Sequence, residues 1–322
     1  MKDSDSIAVV IPAYNAEGYI AETLRSVLEQ RRRPAEIVVV DDCSTDGTVS
    51  VAERFVPDIS IVRNGDNAGP GARRNQGARH TTSSAVAFLD ADDVWNPDHL
   101  ETVAGLLDLY PDAGAAFSRS QLFGLRNEIW PTSIPCDGAP RECFPDMMRN
   151  LFCHIGSAVV RREAFDRVGG FDDIVEFYKG RRVQGEDYDY LLRLSLETPF
   201  VGTSKVTFRY RWHEGMSSKH IVPQIIIGFR YRLRLVEKLR GSPDRASLVP
   251  VAVDRMQMCW DEHMELIWSR RDMAGLRMMV EFGIAHDDLK EISLRYASRA
   301  SMPRWLVGAV DRIRGRQNTG KL

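Results

Sequence analysis

Strand-like and helix-like patterns alternate along roughly the first 110 residues, and this alternation limits the possible folds more than any other feature of the sequence. Short apolar runs rich in β-branched residues are typical of buried strands. Four such runs are present, at residues 7–11, 37–40, 59–62 and 85–89. Helical spacing of apolar residues follows, as with Ile20, Leu24 and Val27. The pattern predicts an α/β domain with a mostly parallel sheet and helices on its faces.

Polar segments directly follow three of the predicted strands. In open sheets of this kind, ligands bind beyond the carboxyl ends of the strands. The candidate binding residues are therefore Pro12, Ala13, Tyr14 and Asn15 after the first strand, Asp41 and Asp42 after the second, and Asp90, Ala91, Asp92 and Asp93 after the fourth.

The aspartates after the fourth strand are the most informative of these residues. Asp90, Asp92 and Asp93 place three carboxylates within four residues, where they repel each other unless a cation is present. Mg²⁺ and Mn²⁺ prefer such oxygen ligands and also bind phosphate oxygens. A polar turn with capping aspartates is the alternative interpretation.

The segment that begins at Asp42 resembles a calcium-binding loop in the spacing of its oxygen-bearing residues. A strand precedes this segment, however, whereas an EF-hand loop follows a helix. We therefore interpret Asp42 as a ligand-contacting residue at the tip of a strand, and residues 44–47 as a turn into the next helix.

Further charged groups lie beyond the aspartates. Gly69 and Gly71 precede Arg73 and Arg74 at a predicted helix start, an arrangement that suits phosphate, although a glycine turn with surface arginines is commoner. Glu186 and Asp187 begin another predicted helix, where they could simply stabilise its N-terminus. His213 follows a predicted strand and could equally be a surface histidine.

The length of the chain, 322 residues, allows one large α/β domain and a smaller appendage. The pattern is irregular over residues 111–150 and becomes helical after residue 220, at 224–240 and 256–280. We predict a catalytic domain at 1–220 and a helical extension at 221–322. Neither a transmembrane segment nor a signal peptide is recognisable, so we expect a cytoplasmic protein. Five cysteines without paired spacing predict reduced thiols.

Charge is distributed unevenly along the chain. From Gln224 onward there are 18 Lys and Arg against 12 Asp and Glu, whereas the preceding residues hold 25 against 33. An acidic body suits cation binding, and a basic tail suits an anionic surface, although a solvated helix face is the commoner explanation.

Six segments taken together resemble glycosyltransferase family two, whose members have the A-type nucleotide-sugar-binding fold. They occur in the family's order, at residues 10–15, 36–48, 67–77, 88–98, 168–172 and 185–192. A single match of this kind would be weak, but six in order are specific.

The resemblance implies a nucleotide-sugar site. Pro12, Ala13, Tyr14 and Asn15 would line the pocket for the base, and Asp42 would hydrogen-bond it. Either Arg73 or Arg74 would lie near the base or the diphosphate.

The resemblance also implies a metal and a base. Asp90, Ala91 and Asp92 match the family's D-x-D motif, with Asp92 as the direct metal ligand and Asp90 facing the ribose or sugar. Asp187 would be the catalytic base. His213 matches a position that meets the diphosphate or the metal.

The reaction implied is inverting transfer of one sugar from a UDP-, GDP- or dTDP-sugar to a saccharide or lipid-linked acceptor hydroxyl, with Mn²⁺ or Mg²⁺ as cofactor. Such enzymes build cell-surface polysaccharides, and we expect no nucleic-acid partner. The Q-x-x-R-W signature of the family's processive synthases is missing before Trp212, so single-sugar transfer is expected.

The tail contains apolar residues interleaved with arginines from Arg304 to Arg316. An amphipathic basic helix there could rest on an anionic membrane, or it could pack on the catalytic domain or a second subunit.

Other functions remain open. A phosphatase of the haloacid-dehalogenase type also carries D-x-D, but on its first strand, and a nucleotidyltransferase would need a glycine- and arginine-rich loop after strand one. A nucleotide-sugar- or carbohydrate-binding protein without turnover would be expected to lack Asp92 or Asp187.

Overall fold

The computed structural model describes residues 6–172, 176–178, 181–183, 185–214 and 221–300. These residues form two compact units, the first at 6–172 and 185–214 and the second at 176–178, 181–183 and 221–300. That residues 1–220 act as the catalytic domain stays a prediction. All five cysteines are free thiols, as expected.

The strands of the first unit form a nine-stranded mixed sheet. The strands of both units are, in chain order, β1 (Ile7–Ala13), β2 (Glu36–Asp41), β3 (Ser60–Arg63), β4 (Ala85–Phe88), β5 (Val94–Trp95), β6 (Ala115–Gly124), β7 (Glu128–Trp130), β8 (Ala158–Arg161), β9 (Glu176–Tyr178), β10 (Arg181–Val183) and β11 (Phe200–Trp212). β9 and β10 form a separate hairpin in the second unit.

The order across the sheet is β3-β2-β1-β4-β8-β6-β11-β5, with β7 paired to β6. β1 pairs in parallel with β2 and with β4, and β2 pairs in parallel with β3, as predicted. β6 is parallel to β11. β8 runs antiparallel between β4 and β6, and β5 runs antiparallel to β11. The carboxyl ends of β1, β2, β4 and β11 therefore point to one edge of the sheet.

Two local predictions were wrong. β1 continues through Pro12 to Ala13 instead of ending at Pro12, and the supposedly irregular residues 111–150 contain the central strand β6. β6 was missed because Ser118 and Ser120, both fully buried, give it a polar sequence. Their hydroxyls pair with Thr207 and with His154, each at 2.8 Å, so the strand can be buried at low cost.

Helices cover both faces of this sheet. They are α1 (Ile20–Leu28), α2 (Thr48–Ala52), α3 (Pro70–Arg79), α4 (His99–Leu109), α5 (Phe144–Arg149), α6 (Arg162–Val168) and α7 (Glu186–Glu197). Leu24 of α1 and Val103 of α4 share one buried apolar cluster with Val9 and Ile11 of β1. The apolar face predicted for α1 is therefore the one that packs on the sheet.

Helix α3 lies very close to the neighbouring strands because of Gly77. A Cβ atom on Gly77 would overlap Cγ1 of Val10 on β1 and would lie 3.0 Å from Cγ2 of Val40 on β2. Only the absence of a side chain lets the backbone of α3 approach this far.

The second unit described contains the helices α8 (Ile221–Arg240), α9 (Val249–Ser269), α10 (Met273–Ile284) and α11 (Asp287–Ala300). The predicted helical extension is confirmed, and the residues 256–280 expected to be helical belong to two helices, α9 and α10. Arg271 adopts a positive φ of 57°, and the carboxylate of Asp272 accepts a hydrogen bond from the Gly275 amide and so begins α10. Among the described helices, none has both the length and the apolar character needed to span a bilayer. The basic helix expected near residues 304–316 lies outside the described residues.

Replacement of Gly77 by alanine should destabilise the protein by about 1–3 kcal/mol, because the new methyl group must displace Val10. Gly105 in α4 is the matched control, since no atom lies within 4 Å of the place that a new methyl group would occupy there. Gly105→Ala should stabilise by about 0.5–1 kcal/mol through helix propensity. Urea unfolding measures both, and equal effects of the two substitutions would contradict this packing.

Candidate active site

The loops after β1 and β2 are tied together by side chains that the sequence places at their tips. The Asn15 amide donates to the Ser44 hydroxyl at 3.1 Å, and Oδ1 of Asn15 accepts from the Thr45 amide at 2.8 Å. Asn15 adopts a positive φ of 48°, a conformation that asparagine tolerates better than most residues. Pro12 and Ala13 are buried in β1, whereas Tyr14 is 52% exposed beside them.

Asp42 is buried and anchors the loop that leads into α3. Its carboxylate accepts hydrogen bonds from the amides of Ala68 and Gly69, both at 2.8 Å, and from Nε of Arg73 at 2.7 Å. Arg73 also donates to the carbonyl of Asp66 at 2.6 Å. Asp42 therefore has a structural role besides the base contact predicted for it.

Asp42→Ala should destabilise the protein by about 3–5 kcal/mol, because it removes the buried one of the two carboxylates that pair with the buried guanidinium of Arg73. Asp66→Ala is the control, since the Asp66 carboxylate contacts the same guanidinium but is 76% exposed. It should cost no more than about 1 kcal/mol. Denaturant unfolding compares the two, and a small loss in Asp42→Ala would contradict the anchoring role.

The D-x-D segment follows β4 and is held from two sides. The hydroxyl of Thr23 on α1 lies 2.9 and 2.8 Å from the carbonyls of Ala91 and Asp93. Nε of Arg211 on β11 donates to the carbonyl of Asp92 at 2.6 Å, and the Arg211 amide donates to the Asp93 carboxylate at 2.8 Å. Burial, together with Asp92 and Asp90, raises the pKa of Asp93 well above its ordinary value. Asp93 is therefore a support for the turn, while Asp90 and Asp92 keep part of their surface exposed.

His213 meets Asp92 at the end of β11. Nε2 of His213 lies 2.9 Å from Oδ2 of Asp92, and its ring is 5.0 Å from that of Tyr19. Two neighbouring ligands of an octahedral ion with bonds of about 2.1 Å are about 3 Å apart, so this pair fits a divalent cation. Within the described residues there is no group of three or more Asp, Glu, His or Cys side chains that could hold a metal. An ion bound here would need phosphate oxygens and water to complete its coordination.

Arg73 and Arg74, which the sequence could not separate, occupy different parts of the site. Arg74 is buried and donates from Nη2 to Oδ1 of Asp90 at 2.5 Å and from Nη1 to Oε1 of Glu186 at 2.8 Å. Burial alone would lower the pKa of Arg74, but Asp90 and Glu186 together raise it above its ordinary value. Arg74 therefore stays charged and joins the D-x-D segment to the start of α7.

Asp187 lies in the first turn of α7, which begins at Glu186 as predicted. Its Oδ1 accepts from the Tyr188 amide at 2.8 Å, and the residue is half-buried. Burial, reinforced by Glu186, raises the pKa of Asp187 to about 6. A carboxyl group with such a pKa is ionised at neutral pH and is a better proton acceptor than an ordinary aspartate.

Several residues that the sequence did not single out hold α7 in place. The Asn75 side chain on α3 both donates to the carbonyl of Phe171 and accepts from its amide, at 2.8 Å each. Gly170 permits this clamp, because a Cβ there would overlap Oδ1 of Asn75. Arg193 of α7 donates to the carbonyls of Val168 and Gly170. The G-G-F segment at 169–171 was the sequence signal available for this clamp. It does not reveal that Asn75 is the residue that binds the Phe171 backbone.

The fold and this arrangement can be compared with known proteins. The family model described as glycosyl transferase family 2 matches residues 8–169, half of the chain. The chain belongs to glycosyl transferase family 2. TuaG of Bacillus subtilis, named as a teichuronic acid biosynthesis glycosyltransferase, is 37% identical over 160 residues, which are 49% of this chain and 62% of TuaG. The match therefore spans less than two thirds of this relative's length.

Two solved structures share the fold. Staphylococcus aureus TarS 1–349 in complex with UDP-GlcNAc aligns with a TM-score of 0.68 and 18% identity over 95% of this chain and 91% of that one. The mannosyltransferase PcManGT from Pyrobaculum calidifontis, in complex with GDP-Man and Mn²⁺, aligns with a TM-score of 0.58 and 19% identity over 100% of this chain and 83% of that one. The predicted A-type fold with a helical C-terminal region is confirmed. Family membership removes the basis for the phosphatase and nucleotidyltransferase interpretations.

Proposed function

We propose that this protein transfers a single sugar from a nucleoside-diphosphate sugar to an acceptor hydroxyl, with inversion at the anomeric carbon and with a divalent cation. One observation carries the proposal: a continuous set of contacts connects the metal end of the site to the base end. His213 contacts Asp92, Asp92 is two residues from Asp90, and Arg74 links Asp90 to the helix turn that bears Asp187. Membership of the family supports sugar transfer as the reaction.

The metal site of the proposal consists of Asp92 and His213. A divalent cation bound there would act as a Lewis acid and offset the charge that develops on the departing diphosphate. The carboxylate of Asp92 and the imidazole of His213 would hold the ion, and Asp90 would face the ribose or the sugar. The Mn²⁺ in the PcManGT complex supports a metal of this kind.

Asp187 is the proposed general base. The acceptor hydroxyl loses its proton as it attacks the anomeric carbon, and the carboxylate takes that proton on the side opposite the diphosphate. Attack from that side inverts the anomeric centre, so an α-linked donor would give a β-linked product. The pKa of about 6 supports this role.

The nucleotide is proposed to bind between the loops after β1 and β2. Tyr14 presents an exposed ring there, and Asp42 and Arg73 hold the adjoining loop that leads to α3. TarS was solved with UDP-GlcNAc and PcManGT with GDP-Man, which supports a UDP- or GDP-sugar as donor, with dTDP-sugars as the third candidate. The name of TuaG supports an acceptor in a cell-surface polysaccharide.

Thermal unfolding with UDP, GDP or dTDP, each with and without Mn²⁺, tests the donor site. One nucleotide should stabilise the wild-type protein by about 2.7 kcal/mol at 100 times its dissociation constant, and only with the metal. Asp92→Ala should abolish this stabilisation, because it removes a ligand of the ion.

Asp112→Ala is the control for that experiment, since Asp112 is an exposed carboxylate in the turn before β6. It should leave the metal-dependent stabilisation intact. Failure of all three nucleotides to stabilise the wild-type protein in either metal condition would refute the donor site as assigned.

Asp187→Asn should retain nucleotide binding but lower the transfer rate by about 10²- to 10⁴-fold, because the amide cannot accept the proton. In the wild-type enzyme, kcat/KM should fall tenfold per pH unit below about pH 6, where the Asp187 carboxylate becomes protonated. Release of nucleoside diphosphate on addition of acceptor measures both quantities.

Tyr188→Phe is a matched change in the neighbouring residue, which donates its hydroxyl to the carbonyl of Met147 at 2.9 Å. It should leave the acid limb of the pH profile in place. Full activity of Asp187→Asn would exclude Asp187 as the base, and nucleotide binding without any turnover in the wild type would instead favour a binding protein.

A further inference from the structure

Arg74 is the meeting point of two segments that are distant in the sequence. Its guanidinium is buried between Oδ1 of Asp90 at the end of β4 and Oε1 of Glu186 at the start of α7, and it lies 5.3 Å from the centre of the Phe171 ring. Its Nε has no hydrogen-bond partner among the described residues. The position of the group is therefore determined by its two ion pairs and by the aromatic ring.

Glu186 is held by hydrogen bonds to both of its carboxylate oxygens. Oε1 accepts from Arg74, and Oε2 accepts from the Gly185 amide at 3.0 Å. Gly71 on α3 makes room for it, because a Cβ there would lie 2.8 Å from Cγ of Glu186. Since Asp187 follows Glu186 in the same helical turn, immobilising Glu186 also immobilises the backbone of Asp187.

Arg74 and Glu186 also affect the charge around Asp187 and hence its protonation. One guanidinium serves Asp90, Glu186 and Asp187, three carboxyl groups at one edge of the sheet. A like charge near a carboxyl group opposes its ionisation, and an opposite charge favours it. Arg74 and Glu186 therefore act on the protonation of Asp187 in opposite directions.

We propose that Arg74 and Glu186 are a positioning pair for Asp187: together they hold the first turn of α7 beside the D-x-D segment and determine the pH range in which Asp187 accepts a proton. The proposal rests on the proposed function, in which Asp187 is the base. Neither residue needs to touch the acceptor, so both act through Asp187.

The charged and titratable groups that act on Asp187 include members of four elements among the described residues. Glu186 belongs to its own helix, Arg74 comes from α3, Asp90 follows β4, and Cys153 precedes β8. Burial and Glu186 raise the pKa of Asp187, Arg74 lowers it, and Asp90 raises it. The Cys153 thiol is neutral, because burial raises its own pKa well above the ordinary value.

The test is the acid limb of kcat/KM against pH, measured with donor, Mn²⁺ and acceptor. Arg74→Gln should move the limb to higher pH by about one unit or more, because Asp187 loses a favourable charge. Glu186→Gln should move it to lower pH by a similar amount, because an unfavourable charge is removed while an acceptor for Arg74 remains. Arg74→Lys keeps the positive charge, so the acid limb of this variant should stay near that of the wild type. Its kcat should fall.

The control is Arg79→Gln, which removes one positive charge from an exposed position of the same helix. Its limb should coincide with that of the wild type. The double variant Arg74→Gln/Glu186→Gln should return the limb toward the wild-type position, since the two opposing charges are removed together. If Arg74 and Glu186 only stabilised the fold, both substitutions would lower activity, but they would not move the acid limb in opposite directions.

The outcomes separate this proposal from the proposed function. If Asp187→Asn removes the acid limb but Arg74→Gln and Glu186→Gln leave it in place, Asp187 is the base and the positioning pair is refuted. If Arg74→Gln does not fold, the shift of the acid limb to lower pH in Glu186→Gln tests the positioning pair by itself. If the wild-type enzyme transfers the sugar but has no limb that depends on Asp187, the assignment of Asp187 as the base in the proposed function is refuted, and the positioning pair with it.

Discussion

A shortage of positive charge at the carboxyl edge of the sheet governs the arrangement around the site. Asp90, Glu186 and Asp187 converge there, and the buried guanidinium of Arg74 is the cation that lies between them. Buried carboxylates without a partner would be strongly destabilising. One side chain of α3 therefore links the D-x-D segment directly to the start of α7.

Helix α3 organises the site because three consecutive residues on it contact four separate segments. Arg73 pairs with Asp42 after β2, Arg74 with Asp90 and Glu186, and Asn75 clamps the backbone of Phe171. These contacts can be simultaneous only if the helix lies in one place, and Gly77 sets that place by letting it settle against β1 and β2. Packing in the core and placement of charge at the site are thus parts of the same constraint.

The sequence predicted what depends on local pattern and missed what depends on contacts between distant residues. Periodicity was enough for β1 to β4, for α1 and for the start of α7 at Glu186. It failed for β6, whose buried serines are satisfied only by Thr207 and His154, more than 30 residues away. Likewise, Arg73 and Arg74 are adjacent and chemically identical in the sequence, and only their partners distinguish them. The roles of the individual site residues stay predictions.

The same shortage of positive charge bears on how a diphosphate could bind. Residues 1–223 hold 33 acidic against 25 basic side chains, and three of the acidic ones lie together in the D-x-D segment. Such a surface repels a free diphosphate but attracts a divalent cation. Because Arg74 is already paired with Asp90 and Glu186, an ion on Asp92 and His213 would, under the proposed function, offset phosphate charge at this edge. Under the proposed function, binding of the nucleotide and of the metal is therefore expected to be strongly coupled, each being weak without the other.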